Sequence, residues 1–552
     1  MVLRFLICCC IVFPCALAAQ SPSPLLFKWW IELTDKNNTP YSIDRPWEFL
    51  SARSIERRAK NGCPTKLEDL PVDPAYIATL RAEGFVLHGV SRWMNAVAII
   101  ADSAKALTAQ KLPFVRNITC VGRDIKIKNP PNRPQKQRKP YQVKQSVAEK
   151  FGPLGYGAIN LEPLATPFLH QLGVRGDGIW IGVMDGGFVN VDTMPFFDSL
   201  ALNGRLWPGP DFVERDQAVY ESAQHGTSVL SVMAANLPGY FVGAAPQATY
   251  FLLKTEDTGG EFPIEEVNWI LGAEWADSIG IDLINASLGY TTFSNPVYNR
   301  PYSALDGRST IGAKGATIAA QKGMIICNSA GNSGDEPWHF IGVPADAPGI
   351  IAVGAFDTQT NDHASFSSFG PTADGRIKPD LSAPGLNVVT AGNVGEELTM
   401  SAGTSIAAPI LTGSIAALWS AFPNSTAQQI RDAVFTSAHQ LEQPDNKLGY
   451  GIPDFSLAWV TMQGLTVYGS RQYLAGYDTD RGNMKFLFFR ETVQENQVFS
   501  VEDIFGVQQI KGRLKVQGKN PQFVTVQGLE QLPAGVYFLQ TNGTRHRFCK
   551  VR

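Results

Sequence analysis

The sequence predicts a chain in three parts. A doubly wound, mostly parallel α/β sheet occupies the middle, an α+β module of ferredoxin-like order precedes it, and an all-β domain follows it. Three observations predict this. From about Gly152 to Met462, short Val- and Ile-rich runs (IWIGVMD, ATYFLLK, IDLINASLG, MIICNSAGN, IIAVGAF) alternate with helical patterns (PIEEVNWILGAEWADSIG, TSIAAPILTGSIAALWSAF). Continuous apolar strands interleaved with helices are the pattern of a parallel sheet covered on both faces. From Trp29 to about Val121 the order is strand, helices, two strands, helix, strand, which suits a split β-α-β unit. Beyond Gly464 the chain turns to β-rich segments such as QVFSVEDIFG and LPAGVYFLQ, with Gly, Pro and Asn at the breaks.

The elements follow in chain order. Arg4, the apolar run from Phe5 to Phe13 and the small residues Ala16-Leu17-Ala18 make residues 1–18 a secretory signal, too short to span a bilayer. The chain is therefore expected to be exported, without a transmembrane segment once the signal is removed. After the α+β module, residues 122–150 contain RDIKIKNPPNRPQKQRKPYQVK, rich in Lys, Arg, Pro and Gln with almost nothing to bury. Such a stretch is a solvated, protease-accessible linker. The parallel-sheet domain is expected over residues 151–462 and the β-rich domain over 463–552.

Composition bounds the alternatives. A length of 552 residues with 44% hydrophobic content supports more than one core and excludes a disordered or fibrous chain. Lys+Arg 47 against Asp+Glu 50 leaves a formal charge of -3, so no global field points to nucleic acid or an anionic membrane. Four of the eight cysteines (Cys8, Cys9, Cys10 and Cys15) lie in the signal, and the remaining four (Cys63, Cys120, Cys327 and Cys549) make no disulfide scaffold. Cys327, inside GMIICNSAGN, reads as a buried thiol on a strand. Whether Cys63 and Cys120 pair is left open.

In an α/β sheet the functional groups gather beyond the carboxyl ends of the strands. Asp185 closes IWIGVMD and is followed by two glycines; His225 opens the helical run HGTSVLSVMAAN; Asn332 closes IICNSAGN; Ser405 stands in SAGTSIAAP at the start of an apolar helix. A serine at a helix N-terminus has free N–H groups beside it that favour developing negative charge. Pro409 is expected near the first turn, where a missing N–H costs little. Serine needs a base within hydrogen-bond reach and a carboxylate behind that base, and Asp185 and His225 are the residues on offer.

These motifs, GVMDGG, HGTSVLSVMAA, INASLG, NSAGN and GTSIAAP, resemble those of subtilisin-like serine peptidases over about Gly178 to Asp454. The resemblance implies a serine endopeptidase in which Asp185 orients the imidazole, His225 is general base and then acid, and Ser405 attacks the scissile carbonyl. It implies an oxyanion hole formed by Asn332 and the Ser405 N–H. It also implies that Ser287, Leu288 and Gly289 pair with the substrate backbone and that Ser329, Ala330 and Gly331 wall the primary pocket. Gly186 and Ile406 depart from the residues many relatives carry, Ser or Thr and Met respectively. No cofactor is implied for catalysis, and structural calcium, known in the family, has no assignable ligands here.

The flanks carry resemblances of their own. LSARSIERRAKNG is similar to the prosegment of exported Bacteroidetes subtilases, which implies an inhibitory propeptide over residues 19–121 and a zymogen. VEDIFG, LPAGVYFLQ and RHRFCKVR resemble a type A sorting domain read by the type IX secretion system, which implies passage through the periplasm to the cell surface or medium. Expected partners are polypeptide substrates, the chain's own propeptide and that secretion machinery. A second function class stays open: a surface adhesin or other binding protein built on the same fold. Loss of a triad member would favour it, and none is lost. Glu256, Asp257, Glu265 and Glu266 either line the cleft and favour basic side chains or, on the plainer reading, form a solvated face.

Overall fold

The computed structural model describes residues 25–123 and 145–463, and beyond them the strands between residues 474 and 550. The expected signal peptide, the linker from residue 124 to 144 with its expected cleavage site, and part of the VEDIFG motif lie outside the described residues.

The N-terminal module comprises strand β1 (Phe27–Leu33), helices α1 (Ala52–Lys60) and α2 (Pro74–Ala82), strands β2 (Val86–Ser91) and β3 (Ala96–Ala101), helix α3 (Ser103–Thr108) and strand β4 (Val115–Arg123). The helix starts are capped: Ser51, Asp73 and Asp102 each accept a backbone N–H from the first turn that follows. The four strands form one sheet in the order β2-β3-β1-β4, with every pairing antiparallel. Alternation along the strands sends Ile31, Leu33, Val97 and Ile99 to one face, where they pack with Leu80 and Ala106 of the helices. It sends Trp30, Ala96, Ala98 and Val121 to the other face.

Three short helices, α4 (Gln145–Phe151), α5 (Gly157–Leu161) and α6 (Thr166–Gln171), lead into the large domain. There β5 (Trp180–Asp185), α7 (Asp198–Leu202), β6 (Leu206–Asp211), α8 (His225–Ala234), the hairpin β7 (Asn236–Leu237) and β8 (Phe241–Val242), β9 (Thr249–Lys254), α9 (Ile264–Ile279), β10 (Leu283–Ala286), α10 (Ile311–Gln321), β11 (Ile325–Ser329), β12 (Ile351–Asp357) and β13 (Leu381–Leu386) succeed one another. The ribbon β14 (Val388–Ala391) and β15 (Leu398–Ser401) precedes α11 (Thr404–Ala421), α12 (Ala427–Thr436) and α13 (Phe455–Met462). The main sheet has the order β13-β12-β11-β10-β5-β9-β6, all parallel. Strand alternation again divides the core. Ile181, Val183, Leu252, Leu283 and Ile325 face α8 and α11, while Met184, Leu253, Ile284 and Ile326 face α9 and α10. Although α11 is long and apolar enough to cross a membrane, it is the buried core helix of this sheet.

The outer face of the N-terminal sheet docks on α9, where Trp30, Ala96, Ala98 and Val121 pack against Phe262, Ile264, Val267 and Leu271. Charges ring this apolar patch. Asp277, fully buried on α9, receives Arg57 at 2.5 Å, Arg58 at 2.6 Å and Arg92 at 2.7 Å, all from the N-terminal module. Burial alone raises a carboxyl's pKa, and here the three guanidiniums outweigh it and hold Asp277 below the usual carboxylate range. Asn61, just past α1, accepts the Ala427 N–H at the start of α12 at 2.7 Å.

The C-terminal segment has two antiparallel four-stranded sheets. One orders β16 (Leu474–Thr479), β17 (Asn483–Phe488), β21 (Gln522–Val526) and β20 (Lys515–Gln517). The other orders β19 (Gln508–Arg513), β18 (Val498–Asp503), β22 (Gly535–Thr541) and β23 (Thr544–Lys550). Cys63 and Cys120 are both free: Cys63 lies beside the Asn61 carbonyl, and Cys120 sits 3.2 Å from the Tyr298 hydroxyl. Cys327 is fully buried, and burial pushes its thiol up to about 12, as an inert core thiol requires.

Candidate active site

Asp185 is the last residue of β5 and is almost fully buried. Its Oδ1 accepts the Gly186 N–H at 2.8 Å, and its two oxygens lie 3.1 and 2.9 Å from His225 Nδ1. The glycine after the histidine permits this approach. A Cβ on Gly226 would stand 2.2 Å from the Gly187 carbonyl and 3.0 Å from the Asp185 side chain, so any larger residue would push the start of α8 away from the strand end. The His225 ring is 43% exposed, with its Nδ1 tied down by Asp185. The Asp185 charge raises the imidazole pKa above its ordinary value, against the opposing effect of desolvation.

Ser405 is the second residue of α11, which begins at Thr404. Its N–H falls among the four that lack an intrahelical acceptor. The residue before the helix, Gly403, has φ +144, and a Cβ there would lie 3.0 Å from Ser405 Oγ and 3.6 Å from Asn332 Nδ2. The space in front of Gly403 is thus flanked by a hydroxyl and an amide donor. The orientation of the Asn332 amide is fixed chemically: the Thr404 N–H donates to Oδ1 at 2.9 Å, so Nδ2 points the other way, toward that space. Thr404 Oγ1 lies 3.0 Å from the same Oδ1 and bonds Gly331 at 3.1 Å. Thr404 is therefore a site residue that the sequence reading passed over. A hydroxyl set directly between the turn glycine Gly403 and Ser405 was the available signal.

Of the expected substrate-binding residues, Ser287 and Ser329 are buried, Ala330 is fully buried, Leu288 and Gly331 are half-buried and Gly289 is exposed. The Leu288 carbonyl accepts Asn328 Nδ2 at 2.9 Å and Ser329 Oγ at 3.2 Å, which ties the two expected walls together. Pro409 does not fall in the first turn as expected. It is the sixth residue of α11, inside the helix.

The solvated-face reading of the acidic residues is corrected for three of the four. Glu265 is 1% exposed because its carboxylate accepts the Asp257 and Phe262 N–H groups, each at 2.9 Å. Glu266 is fully buried, pairing with Arg300 and accepting the Gly312 N–H at 2.8 Å. Asp257 is buried and holds Gly259 N–H at 2.9 Å. Glu256 is half-buried and accepts the Tyr290 hydroxyl at 2.5 Å. Among the described residues, Glu256, Glu261 and Glu265 form the one group able to hold a cation, each offering an oxygen within 4.8 Å of the others. Burial raises all three, to about 8, about 7 and about 10 respectively, and mutual repulsion adds to the first and last.

An Asp-bonded imidazole, a helix-start serine and an oriented amide at the carboxyl end of a parallel sheet are the parts of acyl-transfer chemistry. The family model described as Subtilase family matches residues 176–451, and the model for the peptidase S8 propeptide domain of Bacteroidota matches residues 28–140. A thermostable alkaline protease of Halalkalibacterium halodurans is 29% identical over 293 residues, covering 53% of this chain and 69% of that protein. Subtilisin NAT of Bacillus subtilis subsp. natto is 30% identical over 295 residues, covering 53% and 68%, and subtilisin of Bacillus pumilus is 30% identical over 285 residues, covering 51% and 91%. On these matches the chain belongs to the subtilase family of serine endopeptidases and carries an S8 propeptide domain ahead of its peptidase domain.

Proposed function

We propose that Asp185, His225 and Ser405 form the catalytic triad of a secreted endopeptidase made as a zymogen. His225 Nε2 takes the Ser405 proton as Oγ attacks the scissile carbonyl carbon. The Asn332 amide and the Ser405 N–H receive the oxyanion. Collapse expels the amine, which leaves with the proton held on His225, and water then hydrolyses the acyl-enzyme by the same steps in reverse order. Asp185 keeps Nδ1 protonated and stabilises the imidazolium. The observation that carries this reading is the shared space before Gly403, flanked by Ser405 Oγ and Asn332 Nδ2. Ser405→Ala tests it: the purified variant should fold, and it should lose on the order of the roughly 10⁶-fold in kcat that nucleophile removal costs in subtilisin. Near-normal turnover would remove Ser405 from the mechanism.

Substrates are unfolded or loop polypeptides, added as an extended strand beside Ser287, Leu288 and Gly289, with Ser329, Ala330 and Gly331 framing the primary pocket. The exposed backbone at Gly289 supports this docking edge. Residues 19–121 act as inhibitor, residues 122–150 are cut during maturation, nearer Lys144 than Lys139 because Pro140 follows the latter, and the peptidase domain runs over 151–462.

Residues 463–552 are an address for type IX secretion, so that the enzyme passes through the periplasm to the cell surface or medium. Truncation after Met462 should leave peptide hydrolysis largely unchanged while the protein accumulates in the periplasm; normal export of that chain would refute the sorting role. The adhesin reading is not favoured, since every group that peptide hydrolysis needs is present.

A further inference from the structure

Helix α11 carries a proline where a helix needs a donor. In an α-helix each N–H bonds the carbonyl four residues earlier, and Pro409 has no N–H to give. The carbonyl it deprives is that of Ser405. This acceptor is nonetheless satisfied: Ser287 Oγ donates to it at 2.7 Å. Asn285 Nδ2 donates to the same Ser287 oxygen at 3.1 Å, which commits the hydroxyl's single hydrogen to Ser405. The Ser405 carbonyl can only accept, so the Ser287 hydroxyl must donate to it and Asn285 must present Nδ2 to Ser287; Asn285 Oδ1 then lies 3.0 Å from Thr412 Oγ1, whose single hydrogen is shared with the Ala408 carbonyl at 2.8 Å. Ser287, Asn285 and Thr412 are all buried. The relay therefore runs from α11 through the end of β10 and back to α11, seven residues from where it started.

We infer that Ser287 is a positioning residue for peptide hydrolysis, its hydroxyl replacing the helix hydrogen bond that Pro409 cannot make. An ordinary helical bond would secure the Ser405 carbonyl only to its own helix. The Ser287 bond secures it to the segment on which the substrate backbone is proposed to lie, so that nucleophile and substrate edge move as one unit. Displacing a reacting group by about 1 Å can cost on the order of 10²-fold in rate, which is the reason to fix the two together. The inference rests on the assignment of Ser405 as nucleophile.

The test is a rescue in the full chain. Ser287→Ala should lower kcat on a peptide substrate by about tenfold and leave KM within about twofold, since a buried carbonyl loses its donor while the backbone edge remains. Pro409→Ala alone should stay within about twofold of the native enzyme. The double variant should recover most of kcat, because the backbone N–H that replaces the proline nitrogen at position 409 can donate to the Ser405 carbonyl. A double variant as slow as Ser287→Ala, or a loss that falls in KM, overturns the inference. If Ser287→Ala fails to fold, the double variant still decides, because it leaves no carbonyl unpaired: kcat near the native value supports the role, and kcat below a tenth of it overturns it. Ser405→Ala separates the two levels. If it stays active, the nucleophile assignment falls; if it is inactive while Ser287→Ala is unimpaired, only the positioning role falls.

Discussion

His88 lies on β2 of the propeptide, 4% exposed, and faces α9 of the peptidase domain. Its Nε2 is 2.8 Å from Asn268 Oδ1, and Asn268 Nδ2 donates to the Thr255 carbonyl at 3.1 Å. The amide is thereby oriented to accept, so Nε2 carries the hydrogen. Nδ1 is buried with no partner, and the charged neighbours are cations, Lys28 and Arg215. Protonating Nδ1 would bury an N–H without an acceptor beside two positive charges. Burial first, then these cations, outweigh the Asn268 bond and take the imidazole from 6.5 down to about 3. The sign follows. A histidine whose pKa is depressed by docking stabilises the complex fully above about pH 6.5, and that stability is lost progressively as pH falls from there toward about 3.

Only the free propeptide binds the proton in this window, so its inhibition constant should rise by the protonated-to-neutral ratio of free histidine. That is about tenfold between pH 7.5 and 5.5 and about thirtyfold by pH 5. The assay is inhibition of the matured peptidase by separately made propeptide, with His88→Gln in parallel. Glu274, raised by burial in the docked state, titrates with the opposite sign, but it is common to both inhibitors. The difference between them therefore belongs to His88. An inhibition constant that is flat over this range, or equally pH-dependent in His88→Gln, would refute the reasoning.

In the proposed mechanism Asn332 Nδ2 serves the oxyanion rather than the ground state, so Asn332→Ala should lower kcat by about 10²–10³ with little change in KM; steady-state kinetics on a peptide decide it, and a pure KM effect would reassign Asn332 to substrate binding. Asp277→Ala should leave Arg57 without its carboxylate partner in the docked interface, where breaking a buried pair costs about 3–5 kcal/mol. Propeptide inhibition should weaken by two orders of magnitude or more, read as the inhibition constant of the native propeptide against the variant peptidase.

Short-range pattern is legible in the letters themselves. The Val- and Ile-rich runs became β5, β9, β10, β11 and β12, the order of the N-terminal segments became a β2-β3-β1-β4 sheet, and Asp185, His225 and Ser405 were found at element boundaries where turn chemistry marks them, while Asn332 lies in the loop three residues past the end of β11. Periodicity and capping operate over a few residues, so they are written in neighbouring positions. Which groups meet is a property of the packed chain alone. Thr404 orients Asn332 across a separation of 72 residues, Ser287 reaches Ser405 across 118, and Arg58 reaches Asp277 across 219. Packing also turned Glu265 and Glu266 from an apparent solvated face into buried acceptors, and it moved Pro409 from a harmless first-turn position to the cause of the Ser287 bond. A side chain's local pattern states which face it shares, whereas its burial and its hydrogen-bond partner depend on what the fold packs against that face.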